Sequence, residues 1–233
     1  MSVLASWRRA VTTVLALVLV CVALAASAFI SRHAPPRTFA ALVPVNNPSV
    51  APARFWTQAC NGVVCNLCPF HCFLPEGARG RCKVRENWGG RLVTMVYARP
   101  VSVHVDPIEK KPVFHLNPGS WIYSLATAGC NLTCKSCQNW EISQIFPEAA
   151  PARFLVPTAL ELRPGQDGRI YGSFRHKETS TLTPEEVVAA ALATRCKSIA
   201  YTYSEPVVFY EFMRDTARLA RQKGLLNVMV SAG

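Results

Sequence analysis

Negative charge is what this sequence has least of. Its 233 residues hold 14 Asp and Glu against 25 Lys and Arg, and charged residues of both signs make up only 17% of the chain. So little charge beside 50% hydrophobic residues argues against a disordered chain. The length allows one sizeable core and a small second module. The net charge of +11 is uneven. Residues 1–118 carry 13 Lys and Arg against 4 Asp and Glu, while residues 119–233 carry 12 against 10. A basic excess near the N-terminus suits solubility and a membrane-proximal segment. An acidic partner would suit it too, but there is no basic run interleaved with aromatics and no RNA-reading signature, which argues against nucleic acid.

Charge is missing altogether from residues 11–30, VTTVLALVLVCVALAASAFI. As a helix this run spans about 30 Å, the thickness of a bilayer core. The expectation is an N-terminal transmembrane helix, with residues 1–30 serving as membrane anchor or signal. Arg8 and Arg9 precede the run, and Ala26-Ser27-Ala28 is its one cleavage-like site, so an uncleaved anchor is favoured over a cleaved signal. The paired arginines make export by the twin-arginine route the alternative, although Trp7 stands where that signal has a serine. Arg32, His33 and Arg37 on the far side balance Arg8 and Arg9, so charge does not set the orientation. Residues 31–55 contain Pro35, Pro36, Pro44, Pro48 and Pro52 and read as an extended linker.

Cysteine, by contrast, is abundant: ten residues. Cys21 sits in the apolar run as a small hydrophobe, and Cys196 follows a helix end as a structural residue. The others form two groups, Cys60, Cys65, Cys68, Cys72 and Cys82, then Cys130, Cys134 and Cys137. A disulfide framework is one reading of an exported protein. Against it, three cysteines within eight residues cannot pair without a remainder. The spacing Cys65-x2-Cys68-x3-Cys72-x9-Cys82, in a module spanning residues 56–118, offers four thiolates for zinc or for an auxiliary iron–sulfur cluster. His71 lies between these ligands and is expected to point outward; Cys60 is spare. Arg79, Arg81, Lys83 and Arg85 surround Cys82, either to balance thiolate charge or as exposed side chains. His104 and His115 flank DPIEKKP on expected strands and are assigned structural packing.

Residues 119–233 read as an α/β core. WIYSLATAG at 121–129 is a buried strand ending in glycine. Thr183, Pro184 and Glu186 make a capping box ahead of a helix that includes Val187, Val188, Ala191 and Leu192. SIAYTYS at 198–204 is a second strand. A second helix follows Glu205 and Pro206, with Phe209, Phe212, Met213, Thr216, Leu219 and Ala220 on one face and Gly224 as its cap. LLNVMVS at 225–231 is a third strand. Strands alternating with helices imply a parallel sheet, open or closing into a barrel. Residues 147–181, with Pro147, Pro151, Pro157 and Pro164, read as a loop insertion.

In such a sheet, ligands gather beyond the C-terminal strand ends. The three-cysteine loop, Glu205 and the segment from Ser231 to Gly233 each follow a strand, so they should face one site. A structural zinc site needs four ligands. A cubane has four irons, and three cysteines would hold three of them, leaving one iron open for another ligand.

The stretches GCNLTCKSCQNWEIS, DPIEKKPVFHLNPGS and AYTYSEPVVFYEF resemble the radical S-adenosylmethionine (SAM) superfamily. Within it they are similar to the AmmeMemoRadiSam-system enzymes, which are akin to pyruvate formate-lyase activating enzymes. The resemblance runs from about Cys65 to Gly233, broken at residues 147–181. It implies a partial (β/α) radical SAM barrel, apparently truncated after its third strand, behind a small Cys-rich N-terminal module. It implies a [4Fe–4S] cluster on Cys130, Cys134 and Cys137, and SAM contacts from Glu205, Ser231 and Gly233. The open iron would take the SAM amino and carboxylate groups. An electron from a flavodoxin or ferredoxin would cleave the C5′–S bond, giving methionine and a 5′-deoxyadenosyl radical that abstracts hydrogen. A protein substrate, activated as a glycyl radical, is the analogy. Two positions depart from the pattern: Ser136 replaces a bulky residue before the third cysteine, and Ser231-Ala232 replaces Thr-Asn. The rival functions are a membrane-anchored zinc-ribbon-like binding module and an iron–sulfur electron carrier without SAM chemistry. SAM and low-potential reductants are cytosolic, so the enzyme region is expected to face the cytosol from its anchor.

Overall fold

The computed structural model describes residues 49–232. Twelve short strands dominate these residues and fall into four separate sheets. β1 (Ala51–Pro52), β5 (Arg85–Trp88) and β6 (Arg91–Thr94) form one antiparallel sheet in the order β1-β6-β5. β2 (Trp56–Ala59), β3 (Gly62–Cys65) and β4 (Phe73–Leu74) form a second. The third sheet contains β7 (Pro100–Pro107), β8 (Trp121–Thr127), β11 (Ser198–Tyr201) and β12 (Leu226–Met229), in the order β12-β11-β8-β7. The fourth is a hairpin of β9 (Phe154–Pro164) and β10 (Ile170–Thr179).

The third sheet positions the candidate site. β8, β11 and β12 are parallel, with Ser198 opposite both Ile122 and Leu226. β7 runs antiparallel to β8. β8 and β11 are buried on both faces, which is why they read as continuous apolar runs rather than alternating ones. Three helices accompany the strands: α1 (Trp140–Ser143), α2 (Pro184–Ala193) and α3 (Tyr210–Gln222). α2 starts at the expected capping box, with Thr183 Oγ1 accepting from the Glu186 N–H and Glu186 Oε2 accepting from the Thr183 N–H. Its Val187, Val188 and Ala191 join Phe209, Phe212 and Ala220 over Tyr123, Leu125 and Ile199 in the main core. Gly224 sits past the end of α3 at φ +76, a left-handed position that a side chain would strain.

The expected fold class is not what forms. The chain folds mainly as strands in small, separate sheets, and no barrel, whole or partial, closes among the described residues. The α/β expectation rested on the strand–helix alternation after residue 119. That alternation does produce three parallel strands, but they lie in an open four-stranded sheet whose β7 edge is antiparallel. The strands outside it carry no long apolar runs, so their number was not expected. Residues 147–181 differ in the same way. Their prolines suggested a loop, yet Pro157 and Pro164 lie within β9, which pairs on one side only and so tolerates a missing N–H. The transmembrane helix expected at residues 11–30 lies outside the described residues. Among those described, no helix is long and apolar enough to cross a membrane.

One buried ion pair ties the N-terminal sheets to α3. The Arg85 Nη1 lies 3.1 Å from both carboxylate oxygens of Glu211, and both side chains are buried. Glu211 also accepts from the Arg54 N–H at 2.7 Å, and Arg85 Nη2 donates to the Arg54 carbonyl at 2.5 Å. Removing one partner leaves the other charged and unpaired in a dry site. Glu211→Ala should therefore cost about 3–5 kcal/mol of stability, read from the midpoint of chemical denaturation. Arg85→Met combined with Glu211→Leu should recover part of that loss. An unchanged midpoint in the single variant would show that the pair is not buried in solution.

Candidate functional site

At the end of β8, Gly129 turns the chain with φ +85. A Cβ there would lie 2.4 Å from the Cys82 carbonyl oxygen and 2.5 Å from Val84 Cγ1, so only glycine fits. This close approach to the N-terminal cysteine module sets Cys82 directly behind the three-cysteine loop.

That loop is closed on itself and on its neighbours. The Gly129 N–H donates to the Ile142 carbonyl at 2.9 Å, and Gln144 Nε2 donates to the Leu132 carbonyl at 3.0 Å. Arg81 reaches across, with Nε donating to the Asn131 carbonyl at 3.0 Å and Nη2 to Thr133 Oγ1 at 3.2 Å. Lys83 Nζ donates to the Gln144 carbonyl. Asn139 Nδ2 donates to the Tyr203 carbonyl at 2.9 Å, joining the loop to the segment after β11. Cys130 and Cys137 are half-buried and Cys134 is exposed. The Leu132 N–H points at Cys130 Sγ at 3.4 Å, and Cys137 Sγ lies 3.3 Å from Ser143 Oγ. Burial pushes the Cys130 thiol up, while the backbone N–H groups of Leu132 and Glu205 pull it down; the Glu205 carboxylate and Cys137 add to the rise. Cys130 thus sits beside Glu205.

Glu205 is buried, and its carboxylate is already engaged. Oε1 accepts from Ser231 Oγ at 2.7 Å, Oε2 accepts from the Ala232 N–H at 3.0 Å, and the Val207 N–H approaches Oε1 at 3.5 Å. A carboxylate has about four acceptor positions, so one more donor can be taken. Of the expected SAM contacts, Glu205 and Ser231 are therefore brought together, and Gly233 lies outside the described residues. Beside them opens a cleft of about 480 Å³, lined by Lys110, Lys111, Gln138, Asn139, Tyr203 and Ser231 among others.

The cleft holds a charged cluster that the sequence reading missed. Asp106, buried at the end of β7, accepts from Lys110 Nζ at 2.8 Å, Lys111 Nζ at 2.7 Å and the Tyr203 hydroxyl. Lys111 Nζ also lies 4.3 Å from the centre of the Tyr203 ring. Burial pushes the Asp106 carboxyl up, but the hydrogen bonds from Lys110, Lys111 and Tyr203 outweigh it and hold the group well below its ordinary value. One signal was available: an acid followed by two lysines in DPIEKKP, in a chain with little charge.

The four cysteines of the N-terminal module surround one small cavity, which Cys65, Cys68, Cys72 and Cys82 line together. Among the described residues, no three His, Cys, Asp or Glu side chains are gathered into a ready single-ion site. No disulfide links the described cysteines. His71 is exposed, as expected, with Nδ1 3.2 Å from Asn66 Oδ1. His104 stands on β7 against the Tyr203 ring, but His115 is exposed and outside any strand.

Two outcomes follow from this geometry. Gly129→Ala should cost about 2 kcal/mol or more, because its methyl meets backbone and its φ is positive; a chemical melt reads the loss, and a neutral result would mean that the two cysteine groups are not in contact. Asp106 has a depressed folded value, so its contribution is complete above the ordinary value of 3.8 and drains as the pH falls below it. The stability gap between the wild type and Asp106→Asn should shrink by about 2 kcal/mol between roughly pH 5 and pH 2; a constant gap would refute the assignment.

No family model matches the chain. It is 42% identical over 173 residues to an uncharacterized protein of Methanocaldococcus jannaschii, a stretch covering 74% of this chain and 44% of that protein. The chain thus spans less than half the length of this relative. No solved structure matches.

Proposed function

We propose that this chain carries the cluster- and SAM-binding residues of a radical SAM enzyme. The observation that carries the reading is the meeting of the Cys130 loop with Glu205 and Ser231 beyond the C-terminal ends of three parallel strands. Cys130, Cys134 and Cys137 would hold a [4Fe–4S] cluster by three of its irons. The donor set fits: the thiols share one closed loop, and backbone N–H groups point at the Cys130 sulfur, where they would steady a thiolate. When bound and reduced, the cluster supplies the electron that cleaves SAM into methionine and a 5′-deoxyadenosyl radical.

The chain's own residues bind and orient. Glu205, held by Ser231 and Ala232, keeps an acceptor position for the SAM ammonium, a charge-assisted bond stronger than a neutral one. Asn139 pins the loop to the Tyr203 backbone and so sets the distance between the cysteines and Glu205. The lysine-lined cleft beside them is the place for the remainder of the ligand. An external flavodoxin- or ferredoxin-type protein as electron donor belongs to the same proposal, as does a protein substrate.

The test is anaerobic reconstitution with iron and sulfide, followed by dithionite and SAM. The expected result is about four irons bound through the loop, with methionine and 5′-deoxyadenosine in equal amounts. Cys134→Ser should abolish both. Glu205→Gln should keep the iron but weaken SAM binding about tenfold or more, the cost of one charged hydrogen bond. A bound cluster that leaves SAM intact would favour the electron-carrier alternative, and absence of loop-bound iron would reject the proposal.

A further inference from the structure

The four-cysteine cavity of the N-terminal module lies apart from the residues assigned to that chemistry. Two turns build it. Cys65 and Cys72 face each other where β3 and β4 converge, with the Cys65 N–H donating to the Cys72 carbonyl at 2.9 Å. Cys68 lies at the tip between them, in a turn closed by the His71 N–H on the Cys68 carbonyl at 3.3 Å, with His71 at φ +41. The second turn spans Gly80 to Arg85. Its Lys83 N–H donates to the Gly80 carbonyl at 2.9 Å, and Lys83 sits at φ +69. Both turns bring cysteines to the lining of one cavity, although their sulfurs do not converge there. A Cβ on Gly80 would lie 3.7 Å from Cys82 Sγ and 3.8 Å from Cys72 Sγ, so the two sulfurs flank the same glycine.

Two further observations point to a ligand. The enclosed space is small, about 10 Å³, with all four cysteines on its lining. The Arg85 side chain lines this space, and its buried Nε has no hydrogen-bond partner. A buried N–H left unpaired costs free energy, and a metal-bound thiolate is an acceptor that would satisfy it. The site also spans two packed regions, with Cys65 in the small cluster of Ala53, Val63, Leu74 and Leu92 and Cys82 in the main core. The described cysteines are all free thiols, so no disulfide fixes the two turns to each other.

We infer that Cys65, Cys68, Cys72 and Cys82 close on a single zinc-class divalent ion as a structural tetrathiolate site. It holds the module in shape and thereby holds Cys82 and Arg81 against the loop that follows Gly129. Binding needs the four sulfurs to turn inward by side-chain rotation, with loss of their protons and no redox step.

The test separates this site from the loop. The triple variant Cys130→Ser, Cys134→Ser, Cys137→Ser should retain about one zinc per chain and no iron. Adding Cys68→Ser should lower the zinc at least about tenfold. Because that change could unfold the module, Cys68→His is made in parallel. It should retain metal, and after exchange with cobalt its tetrahedral absorption should differ from that of the four-thiolate site. A mercurial should bind four thiols together as it displaces one zinc per chain. Iron with sulfide in the loop-free variant would overturn the inference, as would four thiols that titrate freely without metal release, or a disulfide among them. None of these outcomes depends on whether the loop binds a cluster or cleaves SAM.

Discussion

The contact between Gly129 and the Cys82 carbonyl is the constraint on which the arrangement depends. It puts two cysteine groups, 48 residues apart in sequence at their nearest members, back to back, with the Gly129 backbone packed on the Cys82 carbonyl and the Val84 side chain. Any residue with a Cβ at position 129 would push the loop away from the module. Arg81 would then lose its reach to Asn131 and Thr133, and Lys83 its reach to Gln144. The loop carries few buried apolar groups of its own. Its shape is therefore borrowed from the module, and the module's rigidity becomes the loop's.

The same dependence runs through the far end of the module. Arg85 is three residues beyond Cys82 and is buried against Glu211 on α3. α3 connects β11 to β12, the two strands whose ends present Glu205 and Ser231. One short stretch, residues 79 to 86, thus contacts the cysteine loop on one side and the helix behind Glu205 on the other. Such coupling through packed, charge-paired side chains has a cost in tolerance: substitutions in this stretch act on both halves of the site at once.

What the sequence made legible follows from which signals are local. The capping box of Thr183 and Glu186 is a pattern within four residues, and the structure forms it as read. The apolar runs of β8, β11 and β12 are also local, and their parallel order followed from the helices between them. With strand order known, the meeting of Glu205 with Ser231 follows from topology. The class of the whole fold did not follow, because most strands here are two to four residues long and carry no usable periodicity. The β9–β10 hairpin was hidden by prolines whose meaning depends on whether a strand lies at an edge, which is not a local property. The Asp106 cluster was hidden for a similar reason: Lys110 and Lys111 lie nearby in sequence, but Tyr203 arrives from 97 residues away.

The basic excess of the N-terminal half looks different once its partners are known. Arg79 is shared between Glu86 and Glu148, Arg81 is spent on the cysteine loop, Lys83 on a carbonyl, and Arg85 on Glu211. Lys110 and Lys111 are both bound to Asp106. These six side chains hold the molecule to itself, so they do not form a free surface for a polyanion. A chain with few acids gains something from this arrangement. Its buried acids sit where several cations or N–H groups converge, as at Asp106, Glu205 and Glu211. The scarcity of negative charge with which the sequence begins is thus what makes each buried carboxylate a fixed point of the structure.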